Sequence, residues 1–391
     1  MKTKDSKSIL LLVIVFALSA QWIFISISHP RLDIYLLTLA AGVCVFASAF
    51  MLSWAAEMSQ FYIPQSLAFI ILALIAVLPE YTVDMYFAWT AGKNPAYVSY
   101  AAANMTGGNR LLVGFGWPLI ILLYWLRTKK KVILFDQTQK AEIKTLLFAS
   151  AYAFIIPLKR NISLIDSAVF IGIFIYYCVI ALRMGIKEPE LKEGPAELLG
   201  RLWSPLRLTL TIVLFLLSGY AIYVAAKPFA EGLLQIGERS GIDRFILVQW
   251  IAPLVSESPE IIIATIFTLK LMPRQGMRAL ISSKINQWTL LVGMLPLIYS
   301  LSSGRAAVMR LDTRQIEEIL LTASQSLFAL MVIWNMRFSL LEGFALFALF
   351  ATQLLIPATE FRFVFSGVYI VLAALVILSR KIKWGHNTYL P

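Results

Sequence analysis

Two histidines and two cysteines are all that this 391-residue chain holds of the usual transition-metal ligands. His29 and His386 lie at the ends of apolar runs and no HExxH sequence occurs, which excludes a histidine-based zinc site. Cys44 and Cys178 each sit inside an apolar run, where a thiol packs as a small hydrophobe and forms neither a disulfide nor a metal pair. Charge is scarce as well, at 14% of residues, against about 25% in a soluble domain. There is no GxGD sequence and no nucleophile–histidine pair within an apolar run, so an intramembrane aspartyl protease or hydrolase lacks its parts. The expectation is that the chain is not an enzyme.

What the chain has in abundance is apolar length. Hydrophobic residues make up 59% of it and the mean hydropathy is +0.78. Its runs approach or exceed the roughly 20 residues that cross a bilayer as helix, and they do not alternate in polarity as barrel strands would. The reading is an all-α, polytopic membrane bundle. Spans fall at about 9–28, 34–56, 64–91, 96–126, 143–157, 163–183, 206–233, 244–271, 277–302, 315–336, 339–356 and 361–379. The run at 143–157 is short for a span.

The formal charge of +12 does not point to nucleic acid, because the bases collect at span ends. Arg127, Lys129, Lys130, Lys131, Lys140 and Lys144 occupy one connection, and Arg183, Lys187, Lys192, Arg201 and Arg207 another. Basic loops of this kind stay in the cytoplasm, with contact to anionic lipid as a by-product. Twelve spans and the lysines at 2, 4 and 7 place both termini there, in a prokaryotic inner membrane given the short loops. Ala17-Leu18-Ser19-Ala20 resembles a signal-peptidase site, but the apolar run continues to Ile27, and an uncleaved first helix is expected.

The two halves repeat each other. Leu78-Pro79-Glu80 and Ser258-Pro259-Glu260 set a proline and a carboxylate within apolar runs. Each glutamate is the 17th residue of a 28-residue segment, 64–91 and 244–271. With Glu80 on Glu260, residues 104–114 meet 283–293 after a one-residue loop adjustment, so that Leu-Leu-Val-Gly at 111–114 matches Leu-Leu-Val-Gly at 290–293. Further on, Asp136, Gln139 and Glu142 correspond to Asp312, Gln315 and Glu318. An odd count of five helices per repeat inverts the second copy. The organisation expected is an extra helix at 1–30, a first repeat at 31–185, a cytoplasmic linker at 186–204, a second repeat at 205–357 and a last helix and tail at 358–391. Inverted repeats meeting at a midplane site are the architecture of alternating-access transporters.

A charge near the bilayer centre costs roughly 3 kcal/mol or more, so two at matching depth imply an ion or proton that must bind. Pro79 and Pro259 cannot donate a backbone hydrogen bond and disfavour helix just before them, which predicts a bend or unwinding near Leu78 and Ser258. Asp84 is one turn after Glu80, and Glu257 one turn before Glu260, so all four are candidate cation-binding carboxylates. The next span of each repeat adds Asn104, Asn109, Ser283, Asn286 and Gln287, whose oxygens suit hard cations but serve equally in interhelical hydrogen bonds. Arg110 and Lys284 are modulators of site charge: Lys284 either takes an ion position as a tethered cation or pairs with Glu257 and holds helices together.

These motifs resemble the two α-repeats of the cation/calcium exchanger superfamily, which includes the sodium/calcium exchangers. The likeness rests on Leu78-Pro79-Glu80 with Ala103-Asn104 through Asn109, and on Ser258-Pro259-Glu260 with Ser282-Ser283, over about 40 residues per repeat. It implies Ca2+ exchange against Na+ or H+, no cofactor, and a cation site lined by Glu80, Glu260, Asn104 and Ser283. The chain departs from the family pattern at Ala76 and Val77 in place of hydroxyls, at Ala103 and Ser282 in place of glycine, and at Arg110 and Lys284. Alternative readings are a proton-coupled monovalent-cation exchanger, and less readily a scaffold or sensor in the membrane.

Overall fold

A computed structural model of the chain describes residues 2–28, 32–59, 61–62, 78–136, 139–183, 194–356 and 358–387. Sixteen helices run through these residues, of which we label α1 (Lys2–Ser28), α2 (Ile34–Ser59), α3 (Leu78–Lys93), α4 (Val98–Leu111), α5 (Trp117–Thr128), α6 (Gln139–Ala153), α7 (Ile155–Lys159) and α8 (Leu164–Arg183) in the first half. The second half holds α9 (Pro195–Gly200), α10 (Ser204–Ser240), α11 (Arg244–Leu269), α12 (Pro273–Asn286), α13 (Val292–Ser303), α14 (Thr313–Ile333), α15 (Leu340–Leu355) and α16 (Thr359–Asn387). Among the described residues nine helical stretches are long and apolar enough to cross a membrane. The short run at 143–157 proves to be part of a 21-residue stretch, Gln139–Lys159. The expected start of the third span and most of the linker lie outside the described residues.

Sequence sets the ends of these elements. Asp312 accepts from the Gln315 backbone at 2.9 Å while the Gln315 side chain reaches back to Asp312, and Ser339 with Glu342 repeats that reciprocal cap on α15. In the first half the Gln139 side chain takes the Asp136 backbone N–H at 3.0 Å. The repeat visible in sequence is therefore a repeat of helix starts.

Inversion is written in four short strands. β1 (Val132–Leu134) pairs antiparallel with β4 (Arg337–Ser339), and β2 (Asn161–Ile162) with β3 (Met309–Arg310). β1 follows the third helical span of the first repeat, whereas β4 follows the fourth of the second; β2 and β3 reverse that relation. Each strand finds its partner in the other repeat, on the face where an inverted copy puts it. These two faces are named below by their strand pairs.

The third span of each repeat is interrupted by a π-helical turn, Leu112–Gly116 between α4 and α5, and Gln287–Leu291 between α12 and α13. Such turns concentrate at functional sites. Two core helices meet there with little room: a Cβ on Gly107 of α4 would lie 1.7 Å from the Gln249 carbonyl oxygen of α11. Pro253 causes this approach, since it lacks the N–H that the Gln249 carbonyl would otherwise receive. Outside the core, α2 and α10 pack along each other, and α16 lies against α14.

Candidate functional site

Each site residue comes from α3, α4, α11 or α12, the second and third spans of the two repeats. Pro79 opens α3, which puts Glu80 in its first turn, and Asp84 follows one turn later; their side chains are 2% and 0% exposed. The second proline behaves differently from expectation. α11 runs unbroken from Arg244 to Leu269 with both Pro253 and Pro259 inside it, so the chain does not unwind at Ser258. Hydroxyls add bonds beside the carbonyls that the prolines free, with Ser256 donating to the Ala252 carbonyl at 3.2 Å and Ser258 to that of Leu254. The irregular backbone lies instead in the π turns one helix on.

Carboxyl groups of the two repeats meet at the centre. Glu80 lies within electrostatic range of Glu257, with Gln287 and Ser283 beside Glu257. Gly108 makes the space: a Cβ there would stand 3.2 Å from Glu80 Oε1 and 3.6 Å from Gln287 Nε2. Asp84 faces Asn104. These approaches fall outside ordinary hydrogen-bond geometry, because both carboxylate oxygens of Glu80 and of Asp84, both amide atoms of Asn104 and Gln287, Glu257 Oε2 and Ser283 Oγ are buried without a hydrogen-bond partner. Buried oxygens left so are costly, and carboxylates in contact require protons or a cation between them. Among the described residues no three acidic side chains converge closely enough to form a metal cage alone. A cation here takes amide and hydroxyl oxygens together with carboxylates, the mixed donor set that hard ions accept.

Glu260, aligned with Glu80 by sequence, lies within electrostatic reach of Glu80 and Glu257 but is only partly buried, whereas Glu257 is 2% exposed. Glu80 thus has two glutamates of α11 within electrostatic range, Glu257 the more deeply buried and Glu260 with a buried, unpartnered Oε2 among the described residues. Asn109 turns its amide to the Met105 carbonyl at 2.9 Å, within its own helix.

The two basic residues take different places. Lys284, fully buried, donates to the Asn109 carbonyl at 3.0 Å and stands 5.0 Å from the Trp288 ring centroid, with Glu80 and Glu257 in electrostatic range. Arg110 lies within electrostatic range of Lys284 but takes its contacts elsewhere. It contacts Glu318 of α14 at 2.5 Å and stacks on Trp250 at 4.9 Å. Arg362 of α16 completes that network, 2.5 Å from Glu318 and 3.2 Å from Glu317. Sequence reasoning recorded Glu318 only as a repeat marker and passed over Glu317 and Arg362. Their signal was the same as that of Glu80: a charge inside an apolar run.

An inverted helical bundle with buried carboxyls where its repeats meet defines a secondary transporter of cations. The chain belongs to the sodium/calcium exchanger protein family, whose model matches residues 32–183 and 210–359. It is similar over 96% of its length to a solved H+/Ca2+ exchanger called CAX, covering 95% of that chain with 41% identity and a TM-score of 0.92. It shares a fold with native YfkE (16% identity, 88% and 98% coverage, TM-score 0.64) and with the sodium-calcium exchanger NCX_Mj soaked with Na+ and Sr2+ (16% identity, 83% and 97% coverage, TM-score 0.54). The chain matches no curated protein sequence. It is a multi-pass membrane cation antiporter of the cation/calcium exchanger superfamily, built as two inverted five-helix repeats with a helix added at each end.

Proposed function

We propose that this protein exchanges Ca2+ for protons, with the ions held in turn by Glu80, Glu257 and Asp84 and by the oxygens of Asn104 and Ser283. The observation that carries the reading is the burial of Glu80, Asp84 and Glu257 where the two repeats meet, with both oxygens of Glu80 and of Asp84 left without a hydrogen-bond partner among the described residues. Several carboxyl groups buried within electrostatic range of one another take up protons when no cation lies among them, and that makes the proton the natural occupant in exchange for a divalent ion. The 41% identical H+/Ca2+ exchanger supports the same pair of ions. Glu260, partly exposed beside the cluster, hands ions to it. Pro79 and Pro259 loosen the helices that present Glu80 and Glu260.

Charge compensation supplies the coupling. Bare carboxylates resist entering a low-dielectric occluded state, whereas protonated or Ca2+-bound ones do not. The α2–α10 pair then moves against the core only when the site is filled, which prevents leak. Lys284 contributes a fixed positive charge where an Na+ would otherwise reside. That favours H+ over Na+ as the driving ion, and it is also what supports the second reading, a proton-coupled monovalent-cation exchanger. Arg110, paired with Glu318, acts on the site only through its electrostatic reach to Lys284.

In this reading 31–185 and 205–357 are the transporting repeats, 186–204 a cytoplasmic linker, and 1–30 and 358–391 accessory segments. Both termini face the cytoplasm of a prokaryotic cell. The test is radiolabelled Ca2+ uptake into proteoliposomes under a H+ gradient and then a Na+ gradient. Uptake driven by H+ and lost in Glu80→Gln is expected. Uptake driven only by Na+ overturns the counter-ion, and monovalent flux that Ca2+ does not inhibit overturns the substrate.

A further inference from the structure

Glu231 lies on α10, outside the site, and one of its oxygens receives two tyrosine hydroxyls from the core. Tyr86 of α3 donates to Glu231 Oε1, and Tyr97, in the single 3₁₀ turn before α4, approaches the same atom at 3.4 Å. All three residues are partly buried. A carboxylate holding donors from two core elements makes a charge-assisted tie, stronger than a neutral hydrogen bond.

The rest of α10 is tied differently. Among the described residues, its hydrogen bonds toward the β2–β3 face run to α2, with Tyr35 to Ser240 at 2.8 Å and Arg239 to Asp33 at 3.4 Å. At the other end Arg207 bonds the Tyr62 hydroxyl at 2.8 Å and the Gly200 carbonyl at 2.9 Å, both in the helix's own surroundings. Glu238 and Arg244 face each other at 3.9 Å across the connecting turn to α11, but both are exposed, and such a pair contributes little. Among the described residues Glu231 is therefore the partly buried polar tie between α10 and α3.

One turn before Glu231 stands Pro228, inside the helix. It leaves the Val224 carbonyl without its helical donor, and the Trp22 indole N–H of α1 takes that place at 3.3 Å. A proline with its freed carbonyl satisfied from outside is a hinge that does not unravel. It divides α10 into a long arm, 204–227, and a short arm, 229–240. Beneath the short arm, Tyr86, Phe87, Tyr97 and Tyr100 form a ring cluster, with Phe87 fully buried between Asp84 and the β2–β3 face and Tyr97 to Tyr100 edge-on at 5.4 Å.

We infer that Glu231 is the latch of a gate: the 229–240 arm, hinged at Pro228 and held by Tyr86 and Tyr97, closes the route from the β2–β3 face to Asp84 and Glu80. Glu231 is a positioning residue here, and it need not bind the transported ion. Opening on that face requires both hydroxyls to let go.

Hydrogen exchange followed by mass spectrometry on the Ca2+-free protein in nanodiscs reads the arm directly. Glu231→Ala should speed amide exchange across 229–240 about tenfold while leaving 206–227 unchanged; tenfold corresponds to about 1.4 kcal/mol. Tyr86→Phe, which removes only a hydroxyl, should do the same if the alanine variant folds poorly. Transport gives a second readout. Loss of the latch raises the population open on the β2–β3 face, so KM for Ca2+ should fall there and rise on the opposite face. A purely structural defect would instead lower the maximal rate from both sides. Unchanged exchange in 229–240 for both variants overturns the latch, as does a uniform increase over all of α10. Because the exchange readout needs no transport, a wrong ion assignment would leave it standing.

Discussion

Two groups of buried charge lie on either side of residues 108–110, and their accounts differ. One holds Arg110 and Arg362 against Glu317 and Glu318, every member 4% exposed or less, with contacts of 2.5 to 3.2 Å. The other holds Glu80, Asp84 and Glu257 with Lys284 as the buried base, and among the described residues no carboxylate there makes an ion pair within 4 Å. Two bases against two acids close the first account, and nothing further need bind. One base against these three acids, with Glu260 a fourth within electrostatic reach, leaves the second account open; in the proposed function an arriving cation closes it. The same residue types in the same membrane thus balance in one place and leave an excess of acid in the other, which is the place the proposed function assigns to the ion, and stoichiometry separates them.

The comparison breaks most sharply at Glu80. Glu80→Gln should abolish Ca2+/H+ exchange, by about 100-fold or more, with the protein still inserted and its melting temperature little changed, since deleting one of several like charges relieves repulsion. Flux measurements alongside thermal unfolding check both halves of that statement. In the balanced cluster the opposite holds. Glu318→Gln strands Arg110 and should cost about 3–5 kcal/mol of stability; Arg110→Gln in the same chain should recover part of it. A Glu318→Gln protein as stable as the parent would show that the network is no fastening.

Between these extremes lies the packing that brings the clusters together. Gly107→Ala drives a methyl into the Gln249 carbonyl and should destabilise by about 1–3 kcal/mol, measurable in the same unfolding assay, with slower exchange as α4 and α11 separate. The smallest effect is expected at Glu260. Being partly exposed, Glu260→Gln should raise KM for Ca2+ several-fold and leave exchange in place; complete loss would make it an equal of Glu257.

Much of this was legible in the sequence. Apolar length gave the bundle, and the two Pro-Glu motifs, with the Leu-Leu-Val-Gly and Asp-x-x-Gln matches, gave the inverted repeat and the helices that carry the site. The exact partner of Glu80 was not legible. Motif alignment equates Glu80 with Glu260, but residues one turn apart share a helix face, so the alignment cannot say which of Glu257 and Glu260 turns inward. Arg110 read as a modulator of site charge because its counter-charges lie more than 200 residues further on in sequence, at Glu317 and Glu318. The hinge at Pro228 was equally hidden, because an isolated proline in a membrane helix is common and only the Trp22 contact gives it a role.

The strand pairs β1–β4 and β2–β3 carry a consequence for origin. Every strand has its partner in the other repeat, so neither five-helix unit completes its own hydrogen bonding. The pairing rule, connection after the third span with connection after the fourth, is one that two copies of a single unit satisfy when they insert in opposite orientations. The chain has the bonding logic of an antiparallel homodimer whose members became joined end to end.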